Sequence, residues 1–348
     1  LGGGAAIVIE MWRYRFRAPV ALVALGLALT TGCAGGGDSP ASLPVNPAAV
    51  PARPAAARAR PQPDAGSPYP QVGYCRMFPA DNPWNTDISG YPVDPHSAQY
   101  LAEMNPSGTT HLHPDFGSDL SYGIPYNVDD LAPAAYQPID FVDYPDQSDK
   151  GPYPIPAKPL IEAGSDRHML IVDSKNCVLY ETYATAHTAK GWEASNGAVW
   201  PLNTNALRPE GWTSADAAGL PILAGLVRYN EVAAGAVLHA LRFTMSRTAH
   251  AHIHPATHDA GNSTATYAPP MGLRLRLKAS FDLTPFHGES LVILRAMKHY
   301  GLILADNGSD FFFTGATDSH WDDDDLDAIK SVPASAFEVV KTGSVIKD

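Results

Sequence analysis

Histidine is dense in one part of the chain: His239, then His250, His252, His254 and His258. An imidazole titrates near neutrality, so a partly buried His239 suits a general acid or base, with His258 as its loop partner. The alternative for His239 is a buried ring bonded to backbone. His250, His252 and His254 alternate, and on an extended segment they share one face, a spacing found in three-histidine metal sites. No carboxylate follows at a characteristic spacing and Pro255 indicates a loop. The expectation is therefore a solvated polar loop without a metal, a metal-dependent hydrolase being the weaker alternative. Glu181 and Asp306, with Asp173 and Asp216 in reserve, are the carboxylates suited to glycosidic cleavage, which needs one protonated and one ionised acid. Each alone is otherwise a turn or surface acid. Arg242, Arg274 and Tyr183 are candidate substrate ligands. Trp84, Trp192, Trp200 and Trp212 sit in loops, where an indole either stacks on a sugar face or plugs the end of a sheet.

These residues need elements to position them. Residues 236–245 read as a strand with Val237, His239, Leu241, Phe243 and Met245 on one face and Arg242 on the other. Residues 273–278 alternate, placing Leu273, Leu275 and Leu277 toward a core and Arg274, Arg276 and Lys278 in a cationic row. That row is either a solvent face or a floor for carboxylates or sulfates of an anionic polymer. The two strands are expected to face each other across the histidine loop. A hairpin over 168–187, turning at Lys175-Asn176, pairs Leu170 with Glu181 and puts Glu181, Tyr183, Thr185 and His187 on one polar face. Such a face is a solvated surface or the wall of a cleft. Short helices are predicted over 97–104 after Asp94-Pro95, from Thr213-Ser-Ala-Asp216, over 289–300, and after the aspartates at 322–325. Asn307-Gly308 between two apolar runs predicts a second hairpin. The fold class is β-dominant, all-β or α+β: a β-sandwich with a few short peripheral helices and long loops.

The formal net charge of −12 over 348 residues argues against nucleic-acid binding. No Gly-x-Ser-x-Gly elbow, phosphate loop or dinucleotide fingerprint is present, which removes lipases, NTPases and Rossmann oxidoreductases as leading ideas. No cofactor is called for.

From Met11 a basic segment precedes an apolar run at 18–29 and then Thr30-Thr-Gly-Cys33. This resembles a bacterial lipoprotein signal, which implies a lipid on Cys33 and attachment to a membrane outside the cytosol, the outer membrane where the cell has one. Residues 1–10 read as upstream translation, 11–32 as the signal, 33–68 as a Pro/Ala-rich tether, and 69–348 as a single β-rich domain. In an oxidising compartment Cys75 and Cys177 are expected to form a disulfide, closing a loop of roughly 100 residues worth about 4–5 kcal/mol. Two buried free thiols are the alternative.

The motifs His239-Ala-Leu-Arg242, Pro255-Ala-Thr-His258, Met271-Gly-Leu-Arg274 and Tyr300-Gly to Asp306-Asn-Gly308 resemble those of a widespread group of exported bacterial proteins of no established activity. The resemblance extends to Gly211-Trp to Gly219 and to an Asn-Pro-Trp-Asn start, and covers most of residues 75–340. It implies an exported single domain and no particular catalysis; the row of His250, His252 and His254 lies outside the shared pattern.

The leading expectation is a monomeric, lipid-anchored enzyme acting on a polysaccharide or cell-envelope glycan. It works by hydrolysis through Glu181 and Asp306, or by β-elimination with His239 or His258 as base and Arg274 neutralising a uronate. Arg242, Tyr183, Trp192 and Trp212 complete the substrate site. The competing expectation is a non-catalytic surface protein that binds glycan or another envelope component.

Overall fold

A computed structural model describes residues 71–128 and 135–347. The proposed signal, Cys33 and tether lie outside the described residues. Among those described, strands dominate and helices are few and short, and no helix is long and apolar enough to cross a membrane.

Two sheets carry the architecture. The smaller has four strands in the order Asn196–Pro201, Val178–Tyr183, Met169–Asp173, Tyr126–Val128. Its central hairpin has the expected register, Leu170 opposite Glu181. The turn closes beside Cys177, which has φ +51° and is disulfide-bonded to Cys75 with Cα atoms 5.3 Å apart. The unbroken apolar run of Met169–Asp173 is buried throughout because both faces are covered. Leu170 and Val172 enter the main core, while Met169 and Ile171 pack with Phe141, Tyr153, Ile155 and Ala194 on the other side.

The larger sheet has six strands: Phe337–Val339, Arg274–Leu277, Leu302–Asn307, Leu241–Met245, Phe312–Phe313, His113–Pro114. Two expectations fail here for one reason. Leu302–Asn307 inserts between the strands expected to face each other, running parallel to Leu241–Met245 and antiparallel to Arg274–Leu277. The Asn307-Gly308 turn likewise makes no hairpin, because Leu241–Met245 lies between Leu302–Asn307 and Phe312–Phe313. A parallel neighbour arrives through a long connection, so adjacency in sequence does not set adjacency in the sheet. That connection holds the predicted helix Gly288–His299, which buries Ser290, Ile293, Leu294 and Met297, a stripe at helical spacing.

Leu241, Phe243, Leu275, Leu302 and Leu304 join the main core with Leu170, Val172, Leu179 and Trp200 of the four-stranded sheet. The opposite face of the six-stranded sheet holds a cross-strand row, Arg242 beside Ile303 beside Arg274. It too is covered, by residues of the Asn82-to-Tyr91 loop and the 214–225 segment. A Cβ at Gly225 would stand 2.7 Å from the Trp84 ring and 2.9 Å from Arg242 Cβ, so only glycine lets these layers close.

The cationic row is therefore neither a solvent face nor a polymer floor. Arg274 and Arg276 are 4% and 7% exposed, and their guanidinium groups donate to loop carbonyls. Arg274 bonds Pro83 O at 2.5 Å, Thr86 O at 3.1 Å and Tyr300 O at 2.6 Å. Arg276 bonds Ile88 O at 2.6 Å, Ser89 O at 2.7 Å and Glu338 Oε1 at 2.5 Å. Lys278 donates to Ser335 O at 2.7 Å.

The helices over Ser97–Met104 and Asp323–Ala328 form as predicted, the latter capped by the Asp322 side chain accepting from Asp325 N. None starts at Thr213: Ser214 Oγ accepts from Asp216 N at 3.0 Å and donates to Leu220 O at 2.6 Å, closing a tight turn instead.

Candidate active site

The parallel pairing of Leu241–Met245 with Leu302–Asn307 contains a bulge. Phe243 lies opposite Leu304 but Thr244 lies opposite Asp306, leaving Ala305 as the extra residue. In a regular strand Asp306 would share the apolar face of Leu302 and Leu304. The inserted residue moves it into the row of Thr244, and so to the face that carries Arg242. Ala305 O, released from the regular ladder, accepts from Ala218 N at 3.0 Å.

Beneath Asp306 is a buried polar floor. Asp216, with no exposed surface, takes both Nε (2.9 Å) and Nη2 of Arg242, and Arg242 Nη1 donates to Thr314 Oγ1 at 2.6 Å. Held by this forked pairing and only 3% exposed, Arg242 does not face solvent as the expected ligand role requires. The nearby negative charge of Asp216 offsets burial and pushes the Arg242 pKa up. Asp306 lies 3.7 Å from Arg242 Nη2 and keeps 25% of its side chain exposed. Burial, reinforced by the charge of Asp216, raises its pKa to about 8 despite Arg242, a shift in favour of the protonated carboxyl.

A second carboxylate is set the opposite way. His168, 3% exposed, bonds Glu162 Oε2 from Nδ1 at 2.6 Å and Ala215 O from Nε2 at 3.1 Å. With acceptors at both nitrogens the ring is held as the imidazolium. Burial opposes either charge, but the hydrogen bond and mutual attraction win, raising the His168 pKa and lowering that of Glu162. Glu162 retains 18% side-chain exposure. Both Glu162 and Asp306 act electrostatically on Arg242.

Tyr183 is half-buried, its ring 5.5 Å from that of His168, and burial together with the charges of Asp166 and Asp306 raises its phenol pKa. His258, also half-buried, hydrogen-bonds Ala217 O through Nδ1 at 2.7 Å, which leaves Nε2 as the acceptor nitrogen. Ala217 adjoins the residue that pairs with Ala305, so His258 and Asp306 are carried by neighbouring segments.

Other candidates go elsewhere. Glu181 has no exposed surface; it accepts from Leu223 N at 2.9 Å, Ile222 N at 3.0 Å and Trp200 Nε1 at 3.2 Å. Burial lifts its pKa to about 7 against those bonds. It anchors the 222–223 segment under the floor, so the polar strand face is neither solvated nor a cleft wall at that position. His239 precedes the strand, which begins at Leu241, and is 1% exposed. Its Nε2 meets Glu231 Oε2 at 3.1 Å, its Nδ1 donates to Ala240 O at 2.7 Å, and Glu231 pairs with Arg228 at 2.5 Å. That closed network does not include Asp306. Asp173 is a turn acid, accepting from Lys175 N and Asn176 N at 3.0 Å each. Arg274, bound to carbonyls, presents no cation for a uronate.

The tryptophans divide. Trp84 and Trp200 are buried plugs. Trp212 is half-buried, and Arg208 lies between it and Trp200, 5.6 and 5.4 Å from the two ring centroids. Trp192, partly exposed, lies tilted against His187 with ring centroids 4.6 Å apart, at the edge of the second cluster.

Nor is the 250–254 row a plain solvated loop. His252 is fully buried, and a carboxylate distant in sequence, Glu210, meets the Nε2 atoms of both His252 and His254. His250 turns instead to Asp259, 2.9 Å away. Sequence reasoning missed Glu162, His168 and Glu210; only the neighbouring Pro-Glu-Gly-Trp at 209–212 hinted at a fixed turn. A separate cavity of about 680 Å³ is lined by Tyr126, Tyr229, Asn230, Asp318 and His320, with the Tyr229 and His320 rings stacked 5.3 Å apart. The chain matches no protein-family profile, no curated protein and no solved structure.

Proposed function

We propose that the protein is a lipid-anchored, extracytoplasmic carbohydrate-active hydrolase whose reacting groups are Asp306 and Glu162. The observation that supports this is the opposite tuning of two partly exposed carboxyls near one buried arginine: Asp306 raised to about 8 and Glu162 held below the usual carboxylate range. Such a split is what glycosidic cleavage asks of its acid pair. Asp306 gives its proton to the glycosidic oxygen as the C–O bond breaks. Glu162, ionised, either takes a proton from the attacking water or attacks the anomeric carbon, and water supplies the hydroxyl of the new reducing end. Tyr183 and His258, both half-buried, would hydrogen-bond the sugar. Elimination is disfavoured, because Arg274 has no access to a uronate.

The test is a panel of neutral and uronate polysaccharides incubated with the purified full chain, reading reducing ends and ultraviolet absorbance. Hydrolysis that falls at least about 100-fold in both Asp306→Asn and Glu162→Gln, and declines as pH rises through about 8, supports the assignment. Activity retained in Asp306→Asn, or new absorbance from an unsaturated product, rejects it. Membrane attachment is read separately: Cys33→Ala should move the protein from the detergent phase to the aqueous phase.

A second reading, a non-catalytic glycan receptor, is favoured by the 680 Å³ cavity with its Tyr229 face and the polar groups of Asn230 and Asp318. Saturable glycan binding without product, lost in Tyr229→Ala and kept in Asp306→Asn, selects it.

A further inference from the structure

The segment around His252 is fixed from both sides. His252 N donates to Ile346 O at 2.9 Å and Ile346 N donates back to His252 O at 2.8 Å. On the other edge Ile253 N donates to Met271 O at 2.8 Å and Met271 N to Ala251 O at 3.1 Å. Extended backbone sends alternate side chains the same way, so His252 and His254 project together. Their rings lie 5.9 Å apart, centroid to centroid. Facing them, Glu210 is positioned by its neighbour Gly211, whose N–H donates to Thr257 O at 2.7 Å. Its Oε1 meets His252 Nε2, and its Oε2 lies 3.1 Å from His254 Nε2. One donor atom from each residue can be chosen so that all three lie within 4.8 Å of one another.

A zinc-class ion bonds imidazole nitrogen and carboxylate oxygen at about 2.0–2.2 Å, so tetrahedral ligand atoms stand about 3.3–3.5 Å apart. The three donor atoms already lie within 4.8 Å of one another, near that spacing. His252 is buried, whereas Glu210 and His254 have 52% and 49% of their side chains exposed, which gives those two room to adjust about it. Two imidazoles with one carboxylate suit zinc, cobalt or nickel, not magnesium or calcium, which prefer all-oxygen shells. An exposed side leaves a fourth position to water.

We propose that Glu210, His252 and His254 form a binding site for a zinc-class divalent metal ion. The site does not depend on the Asp306–Glu162 assignment, and its readout is binding rather than turnover. The purified full chain, freed of metal by chelator, is titrated with Zn²⁺ by calorimetry and with Co²⁺ by visible absorption. The expected result is one ion per chain with four- or five-coordinate cobalt bands. His254→Ala and Glu210→Gln, at half-exposed positions, should keep the melting temperature of the metal-free protein and weaken binding at least tenfold. His250→Ala, whose ring is directed to Asp259, should bind as the parent does. No stoichiometric binding, unchanged affinity in both His254→Ala and Glu210→Gln, or equal loss in His250→Ala overturns the proposal.

Discussion

Arg242 and Arg274 occupy one row of the six-stranded sheet, separated by Ile303 and both almost without solvent, yet they do different work. Arg242 is clasped by the carboxylate of Asp216, and its pKa rises. Arg274 meets only carbonyls at Pro83, Thr86 and Tyr300, and burial lowers its pKa to about 9, still charged at neutrality. The first belongs to a field shared with Asp306 and Glu162; the second pins a loop to the sheet. A buried cation's role follows from what faces it, a formal charge or a set of dipoles, and not from its strand or its exposure.

The comparison makes graded predictions. Arg242→Met strands the Asp216 charge in the interior and should cost about 3–5 kcal/mol in urea unfolding, with a large part recovered in the Arg242→Met/Asp216→Leu double variant. Arg274→Met strands no charge, only carbonyls that the loop can turn toward water, and should cost less, about 2–3 kcal/mol. Equal losses would erase the distinction. Glu162→Gln should cost about 1–2 kcal/mol at pH 7 through the weakened bond to His168. Because the folded pKa of Glu162 is depressed, that stabilisation is present above its unfolded value near 4.5 and disappears as pH falls through the folded one, so the gap to the parent should close in acid. Asp306→Asn should show the opposite trend. Burial raises the folded pKa of Asp306 above its unfolded value, so the parent loses stability as pH rises from the unfolded value toward the folded one while the variant does not, and the difference should shift toward the variant as pH rises.

Legibility in the sequence followed the range of the interaction. The Leu170–Glu181 register is local, set by counting outward from one turn, and the helix over Gly288–His299 is announced by its own apolar stripe. The β-dominant class and the Cys75–Cys177 bond were likewise readable, the latter because an expected oxidising compartment, with Cys33 set aside for the expected lipid, leaves one pairing. Sheet order was not, since nothing near Leu241 or Arg274 indicates that Leu302–Asn307 comes between them. Within the site, Asp306 stands out as a carboxyl beside an Asn-Gly turn. Glu181 is equally conspicuous but is held by backbone amides at 222 and 223 that no local pattern places beneath it. Glu162 and Glu210 sit in aperiodic loops and acquire meaning only when His168 and His252 arrive from distant segments.

The extra residue at Ala305 makes the orientation of the Asp306 carboxyl a matter of counting residues. A ladder that kept Ala305 in register would turn Asp306 inward among leucines, and an acid that now meets water and a guanidinium would be entombed in hydrocarbon. Deleting the alanine, by contrast, would leave Asp306 opposite Thr244 and still on the face of Arg242. The direction of this acid is thus set by a single skipped pairing after Phe243, with no side chain in the sequence changed.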